Sequence, residues 1–158
     1  MLAALEGGGV RFVVIGGIAA RLLGSPSLTG DLDLCPDRRP ENLEHLASVL
    51  KNLGARLRGV DDDGPFLLDA HTLAAGQNFT FTTDLGALDV LGSAAGTAGY
   101  DELAANAARM DVGGVVVAVA DIDDLIRMKV AAGRPKDRIE VEVLTALREE
   151  RARDPGAG

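Results

Sequence analysis

Val13-Val14-Ile15-Gly16-Gly17-Ile18-Ala19-Ala20, followed one short loop later by Thr29-Gly30-Asp31-Leu32-Asp33-Leu34, is the stretch on which the fold turns. Arg11 to Ile15 is a short apolar run rich in β-branched residues and closed by glycine, which predicts a buried strand. Gly16-Gly17 lets the backbone turn tightly into a helix over 18–23. A helix N-terminus reached through glycines offers unpaired N–H groups and a positive dipole end, with no Cβ to keep an anion away. Gly24 stops the helix, Ser25-Pro26-Ser27 makes the return loop, and residues 28–35 predict a second strand. There Asp31 and Asp33 alternate with Leu32 and Leu34, so the carboxylates share one face and the leucines the other. Adjacent acids repel each other, an arrangement that suits a divalent cation between them.

A strand, a glycine turn and a helix also open dinucleotide-binding folds. That class requires Gly-x-Gly-x-x-Gly, whereas here Gly16 and Gly17 are adjacent and Ala19-Ala20 follows. Asp-x-Asp alone is a weak signal; the informative part is its position on the strand after a glycine-opened helix.

The chain of 158 residues is read as a single domain over 1–158, with a core over about 10–119 and a helical part over about 121–151. Its apolar share of 47% and charged share of 25% are those of an ordinary globular protein. Aromatics make up 3% and tryptophan is absent, so base recognition cannot rest on a broad stacking platform. The single cysteine, Cys35, excludes an internal disulfide and fits a reducing compartment. With no apolar run of membrane-spanning length and no leader-like segment, the expectation is a cytoplasmic protein with no membrane partner. A net charge of −8 argues against a generic nucleic-acid binder. A local basic surface remains open, because Arg127, Lys129, Arg134, Lys136 and Arg138 fall close together with only Asp137 among them.

Residues 40–52 are amphipathic, with Leu43, Leu46, Ala47 and Leu50 on one stripe and Pro40 in the first turn, which predicts a helix. Residues 55–58 are a short strand candidate, and Asp61-Asp62-Asp63-Gly64-Pro65 predicts a solvated turn. The latter is similar to a calcium loop, but Pro65 and Thr72 stand where that loop needs ligands. Phe79 and Phe81 alternate with Thr80 and Thr82 in a half-buried strand over 78–83, which turns through Asp84-Leu85-Gly86 into a second strand over 87–91. A helix over 100–108, a hairpin over 109–112 and 115–119, and helices over 121–132 and 135–151 complete the expected elements. His71 is read in a loop and His45 on a helix face, neither with metal-ligand spacing.

Asp89 stands between Leu88 and Val90. A carboxylate within an apolar strand is unfavourable unless something compensates it; alone it could be a solvent-facing residue of an edge strand, and beside Asp31 and Asp33 it reads better as a third metal ligand. Lys129 lies on the same helical stripe as Ile122, Leu125 and Ile126. A lysine so placed either snorkels to water or meets an anion. Gly133 ends that helix and Pro135 opens the next, with Asp137 placed as a cap or as an acid holding Lys129 or Arg134.

These residues resemble the nucleotidyltransferase superfamily typified by DNA polymerase β. Within it the chain is most similar to small bacterial proteins related to the AbiEii abortive-infection toxins and the MenT-type toxins. The resemblance is carried by Gly16-Gly17-Ile18-Ala19-Ala20, Thr29-Gly30-Asp31-Leu32-Asp33-Leu34, Leu88-Asp89-Val90-Leu91 and Lys129-Val130-Ala131-Ala132-Gly133-Arg134-Pro135-Lys136-Asp137. It implies an α/β (α+β) nucleotidyltransferase fold, a mixed β-sheet flanked by helices with a helical C-terminal segment. It also implies transfer of NMP from an NTP to an acceptor hydroxyl, with two Mg²⁺ ions held by Asp31, Asp33 and Asp89. Gly16 and Gly17, with Ser25 or Ser27, would hold the β,γ-phosphates, and Lys129 and Arg134 would neutralise the pyrophosphate.

Two positions depart from the pattern. Ser27 stands about where many relatives carry a basic residue, and Glu140 where they commonly carry aspartate. The acceptor favoured by the resemblance is tRNA or another RNA, with a cognate antitoxin protein as partner. Two alternatives stay open: a small-molecule, antibiotic-type nucleotidyltransferase, whose acidic surface would suit a cationic acceptor, and a non-catalytic, antitoxin-like domain that binds a partner protein.

Overall fold

The computed structural model describes residues 1–59 and 66–153. The elements run α1 (Leu2–Gly7), β1 (Phe12–Ile15), α2 (Gly16–Leu22), β2 (Asp31–Pro36), α3 (Pro40–Asn52), β3 (Arg56–Leu57) and α4 (Ala70–Ala75). They continue β4 (Asn78–Thr83), β5 (Gly86–Leu91), α5 (Tyr100–Asn106), β6 (Ala108–Asp111), β7 (Val116–Val119), α6 (Ile122–Ala132) and α7 (Pro135–Arg153). Among the described residues the strands form one sheet in the order β3-β4-β5-β2-β1-β7-β6. β1 is antiparallel to β2 and parallel to β7, while β2 is parallel to β5. This is the expected mixed sheet with flanking helices and a helical C-terminal segment.

Period-2 alternation does in the sheet what the sequence requires. Leu32, Leu34, Leu88, Val90 and Phe81 are buried on one face, while on the other Ile15, Asp33, Asp89 and Thr80 line up across β1, β2, β5 and β4. α2 packs on β2 and β1, α6 meets α2, and α7 lies along α6. These three helices therefore build the side of the molecule that carries the acids. Leu43, Leu46 and Leu50 of α3 and Leu73 of α4 complete the core.

Several elements differ from the sequence expectation. β2 starts at Asp31 and not at Leu28, which is 90% exposed and lies in the loop before the sheet pairing begins. β3 shrinks to two residues at the sheet edge. α5 ends at Asn106, so that β6 starts at Ala108 and not at Arg109. His71 sits in α4, a single short helix whose start is capped by Asp69 accepting a 2.7 Å hydrogen bond from the Thr72 amide. The turn expected at Asp61-Asp62-Asp63-Gly64-Pro65 lies outside the described residues, as do the last residues of the chain, 154–158. Among the described residues no helix is long and apolar enough to cross a membrane.

One buried polar side chain ties the layers together. Asn42, fully buried on α3, accepts from the Arg11 amide at 2.6 Å and donates to the carbonyls of Arg11 at 2.9 Å and Asp37 at 2.7 Å. It thereby fastens α3 to the start of β1 and the end of β2. Asn42→Ala removes the partner of the Arg11 amide and of the Asp37 carbonyl, while the Arg11 carbonyl keeps the Asp37 amide at 3.0 Å, so urea unfolding should report a loss of about 1–3 kcal/mol.

Candidate active site

The site is assembled by strand register. Asp33 on β2 lies beside Asp89 on β5, and Asp31 precedes Asp33 by one full pleat, so all three carboxylates project from one face. Burial raises the Asp33 carboxyl above the usual carboxylate range, and the charge of Asp89 adds to this. The Gly17 amide, directed onto that carboxylate, and Lys129 pull the other way, while Asp31 adds further repulsion. Asp89 is raised too, first by burial and opposed by the Arg58 guanidinium. The pair thus carries negative charge that the surrounding residues only partly balance.

Gly16 is required where it stands. Its φ of +67° is a left-handed conformation that favours glycine, and a Cβ there would lie 2.1 Å from the Asp33 Oδ2. A Cβ on Gly17 would meet Thr29 at 2.8 Å. The glycine pair therefore serves first to let the β1–α2 turn close over the acids.

Across the site, Lys129 on α6 is 16% exposed, and its Nζ lies 3.5 Å from the Oδ1 of Asp137, which is 1% exposed. Arg134 Nε donates to the same carboxylate at 2.7 Å, and the Arg134 amide at 3.2 Å. Burial alone would raise Asp137, but the hydrogen bonds and charge of Arg134, aided by Lys129, outweigh it and hold the carboxyl below its ordinary value. Asp137 is thus the acid that positions both cations. Gly133, left-handed at φ 63°, makes the sharp break between α6 and α7 that allows it.

A cavity of about 750 Å³ joins the two groups. Gly16, Gly17, Ser27, Asp31, Asp33, Asp89, Lys129 and Arg134 all line it. Ser25 stands behind the wall: its buried hydroxyl donates to Glu140 Oε1 at 2.7 Å and accepts from the Ser27 amide at 3.2 Å, pinning the loop to α7. Leu28 and Ile139 give the cavity an exposed apolar edge. Arg127, part of the basic cluster, is committed to Glu102 at 2.6 Å and Asp124 at 2.8 Å.

The residue that sequence reasoning missed is Arg58. Its Nη1 lies 3.4 Å from Asp31 Oδ2, and its Nη2 lies 3.1 Å from Asp89 Oδ1 and 3.2 Å from the Phe81 carbonyl. The chemistry of the acids, an all-oxygen donor set of carboxylates, fits a hard divalent cation such as Mg²⁺. As they stand with Arg58 in contact, no group of three acidic, histidine or cysteine side chains among the described residues is spaced to hold a metal ion.

No protein-family model and no curated protein matches the chain. Solved structures do. The lincosamide antibiotic adenylyltransferase LnuA, with lincomycin bound, superposes with a TM-score of 0.62 over 92% of each chain at 11% identity. The antibiotic-resistance factor ANT(2'')-Ia matches in solution with a TM-score of 0.54 at 21% identity, over 96% of this chain and 88% of that one. In complex with adenylyl-2''-tobramycin it matches with a TM-score of 0.55 at 20% identity, over 94% and 93%. The chain has the nucleotidyltransferase fold. At these identities the likeness is one of architecture, and the chemistry is argued from the site.

Two outcomes follow from the packing and charge of this site. Gly16→Ala forces a left-handed alanine against Asp33, and should lower stability by about 1–2 kcal/mol or more in urea unfolding. Asp33 and Asp89 have folded-state pKa values above the unfolded ones, so between those values the folded chain holds more protons and stability falls as pH rises. At neutral pH both acids are therefore destabilising without a cation. Asp33→Asn should raise the melting temperature of the metal-free protein at pH 7, with the gain fading as the pH is lowered through the carboxylate range. A variant less stable than the native chain at pH 7 in EDTA would contradict this charge assignment.

Proposed function

We propose that the protein is a divalent-metal-dependent nucleotidyltransferase that moves NMP from an NTP onto a hydroxyl of a small, hydroxylated and preferentially cationic molecule. The observation that carries the reading is the placement of Asp31, Asp33 and Asp89 on one face of β2 and β5, facing Lys129 across a ligand-sized cavity. In the reaction the acceptor oxygen forms a bond to the α-phosphorus, the bond from that phosphorus to the bridging oxygen breaks, and pyrophosphate leaves. Bound divalent ions would supply Lewis acidity to the phosphoryl oxygens and lower the pKa of the attacking hydroxyl.

The chain's own residues supply the rest. Asp31 and Asp33 would hold the metals, and Asp89 would hold one of them while accepting the acceptor's proton on its carboxylate. The raised affinity of Asp89 for a proton suits that task. Lys129 and Arg134, held by Asp137, would face the departing pyrophosphate, and Gly16, Gly17 and Ser27 would border the phosphates.

Three features support a small acceptor. The cavity carries an apolar edge at Leu28 and Ile139 beside its acids. The chain bears a net charge of −8, which draws cations. The basic cluster that would have to meet RNA is largely spent internally, with Arg127 on Glu102 and Asp124 and Arg134 and Lys129 on Asp137. The toxin-type reading, with tRNA or another RNA as acceptor and an antitoxin as partner, rests on Lys136 and Arg138, exposed cations with no ion pair among the described residues.

The test offers each labelled NTP with Mg²⁺ to separate pools of cationic hydroxylated small molecules and cellular RNA. Label is expected in the small-molecule pool, and Asp31→Asn, Asp33→Asn and Asp89→Asn should each reduce it about a hundredfold or more while remaining folded. Label confined to RNA would favour the toxin-type acceptor, and no label with any NTP, beside a tight metal-independent protein complex, would favour a binding domain. Lys129→Met preserves the apolar stem and leaves Arg134 on Asp137, so the fold should survive. Its NTP affinity should nevertheless fall about tenfold, as expected for losing a charge-assisted contact, measured by calorimetry.

A further inference from the structure

Arg58 lies just past β3 at the edge of the sheet, and its amide donates to the Thr80 carbonyl at 2.9 Å. That bond places it in the cross-strand row that continues through Thr80 and Asp89 to Asp33, so its side chain emerges on the acid face. A single guanidinium then touches acids from two strands, Asp31 on β2 and Asp89 on β5. Both contacts, 3.4 and 3.1 Å, are long for a guanidinium and a carboxylate. The arginine pairs made to the buried acids Asp37 and Asp137 are tighter: Arg11 and Arg39 reach Asp37 at 2.8 Å, and Arg134 reaches Asp137 at 2.7 Å, whereas the exposed pair of Arg39 with Asp101, at 3.2 Å, is as long as those of Arg58. The Arg58 side chain is 38% exposed, and its backbone is held by the sheet whether or not the guanidinium stays.

We propose that Arg58 is an internal counter-cation that occupies the charge position of the metal, so that metal entry and withdrawal of the Arg58 guanidinium are one exchange. The proposal rests on the reading of Asp31, Asp33 and Asp89 as metal ligands. A divalent ion and a guanidinium cannot both sit against the same two carboxylates without strong mutual repulsion. Arg58 therefore relieves the crowding of the acids in the metal-free protein and weakens their hold on a free ion. Metal arriving with an NTP brings its own ligands and negative charge, and displaces the guanidinium more readily than the bare ion does. The cation that leaves remains tethered at the rim of the site, one side chain from the acids.

The test is Mn²⁺ binding to the nucleotide-free protein, followed by the electron paramagnetic resonance of free Mn²⁺, with thermal unfolding in parallel. Arg58→Gln should bind Mn²⁺ roughly tenfold more tightly than the native chain, about 1.4 kcal/mol, as expected for releasing two half-exposed ion pairs. In EDTA the same variant should melt lower than the native protein, and Mn²⁺ should raise its melting temperature by more. Arg58→Lys keeps one charge but cannot span both acids, and should fall between. A purely structural bridge predicts the reverse, with stability and Mn²⁺ affinity falling together or affinity unchanged, and either result overturns the proposal if Asp33→Asn still abolishes binding. Mn²⁺ binding that is indifferent to Asp33→Asn, or absent from native protein and both Arg58 variants even with NTP, overturns the metal-ligand reading and this inference with it.

Discussion

Mutual repulsion among Asp31, Asp33 and Asp89 is the constraint around which the rest of the molecule is arranged. Sheet register brings it about: once β2 and β5 pair in parallel, Asp33 and Asp89 stand side by side on one face of the sheet. A fold that only had to be stable would place apolar residues there, as it does on the opposite face with Leu32, Leu34, Leu88 and Val90. Asp33 and Asp89 persist in half-buried positions where burial and like charge both disfavour their ionised forms. Unfavourable electrostatics of this kind, in a cleft, is a recognised mark of a functional site.

The surrounding cations are graded in how firmly they are held. Arg134 is locked to a buried acid at 2.7 Å, and Lys129 leans on the same acid at 3.5 Å. Arg58 spans its two acids loosely at the sheet edge. Tight pairing fixes a side chain for a positioning task, whereas loose pairing leaves it free to exchange for an incoming charge. The cavity is bordered on one side by acids only partly balanced by Arg58 and on the other by Lys129 and Arg134, both anchored on Asp137, and by Lys136. On the proposed nucleotidyl-transfer reading, that polarity would give a triphosphate a direction, with its leaving end towards Lys129 and its reacting phosphorus towards the acids.

Much of this was legible in the sequence because the signals were local. Alternation of Asp31 and Asp33 with leucines, Asp89 between Leu88 and Val90, and Lys129 on an apolar helical stripe each announce a polar group placed where packing alone would not put it. The break at Gly133 and Pro135 was legible as well; Asp137 was open between a cap and an acid holding Lys129 or Arg134, and the structure shows it against both cations. Leu28 was misread as strand because an apolar residue beside an alternating run continues the pattern; Gly30 and the exposure of Leu28 show that pairing begins only at Asp31. The short helix α4 was missed because a helix of a turn and a half has too few residues for a periodic signal, though Asp69 capping Thr72 was its trace.

Arg58 marks the limit of such reading. Nothing adjacent to it in the chain identifies its partners, since Asp31 and Asp89 lie 27 and 31 residues away. Its place depends on a two-residue strand joining the edge of a hairpin, an event decided by long-range pairing and not by propensity. The sequence did hold an indirect clue: three acids on one face, with only Lys129 opposing them from a helix, leave a charge imbalance that some cation must meet. Of the helical cations near the acids, Lys129, Arg134 and Arg127 are taken up by Asp137, Glu102 and Asp124, while Lys136 borders the cavity without an ion pair among the described residues. A charge balance drawn over the acid face, before any partner is known, therefore has room for a basic residue from the strands, and the edge strand beside β4 is where the sheet delivers one.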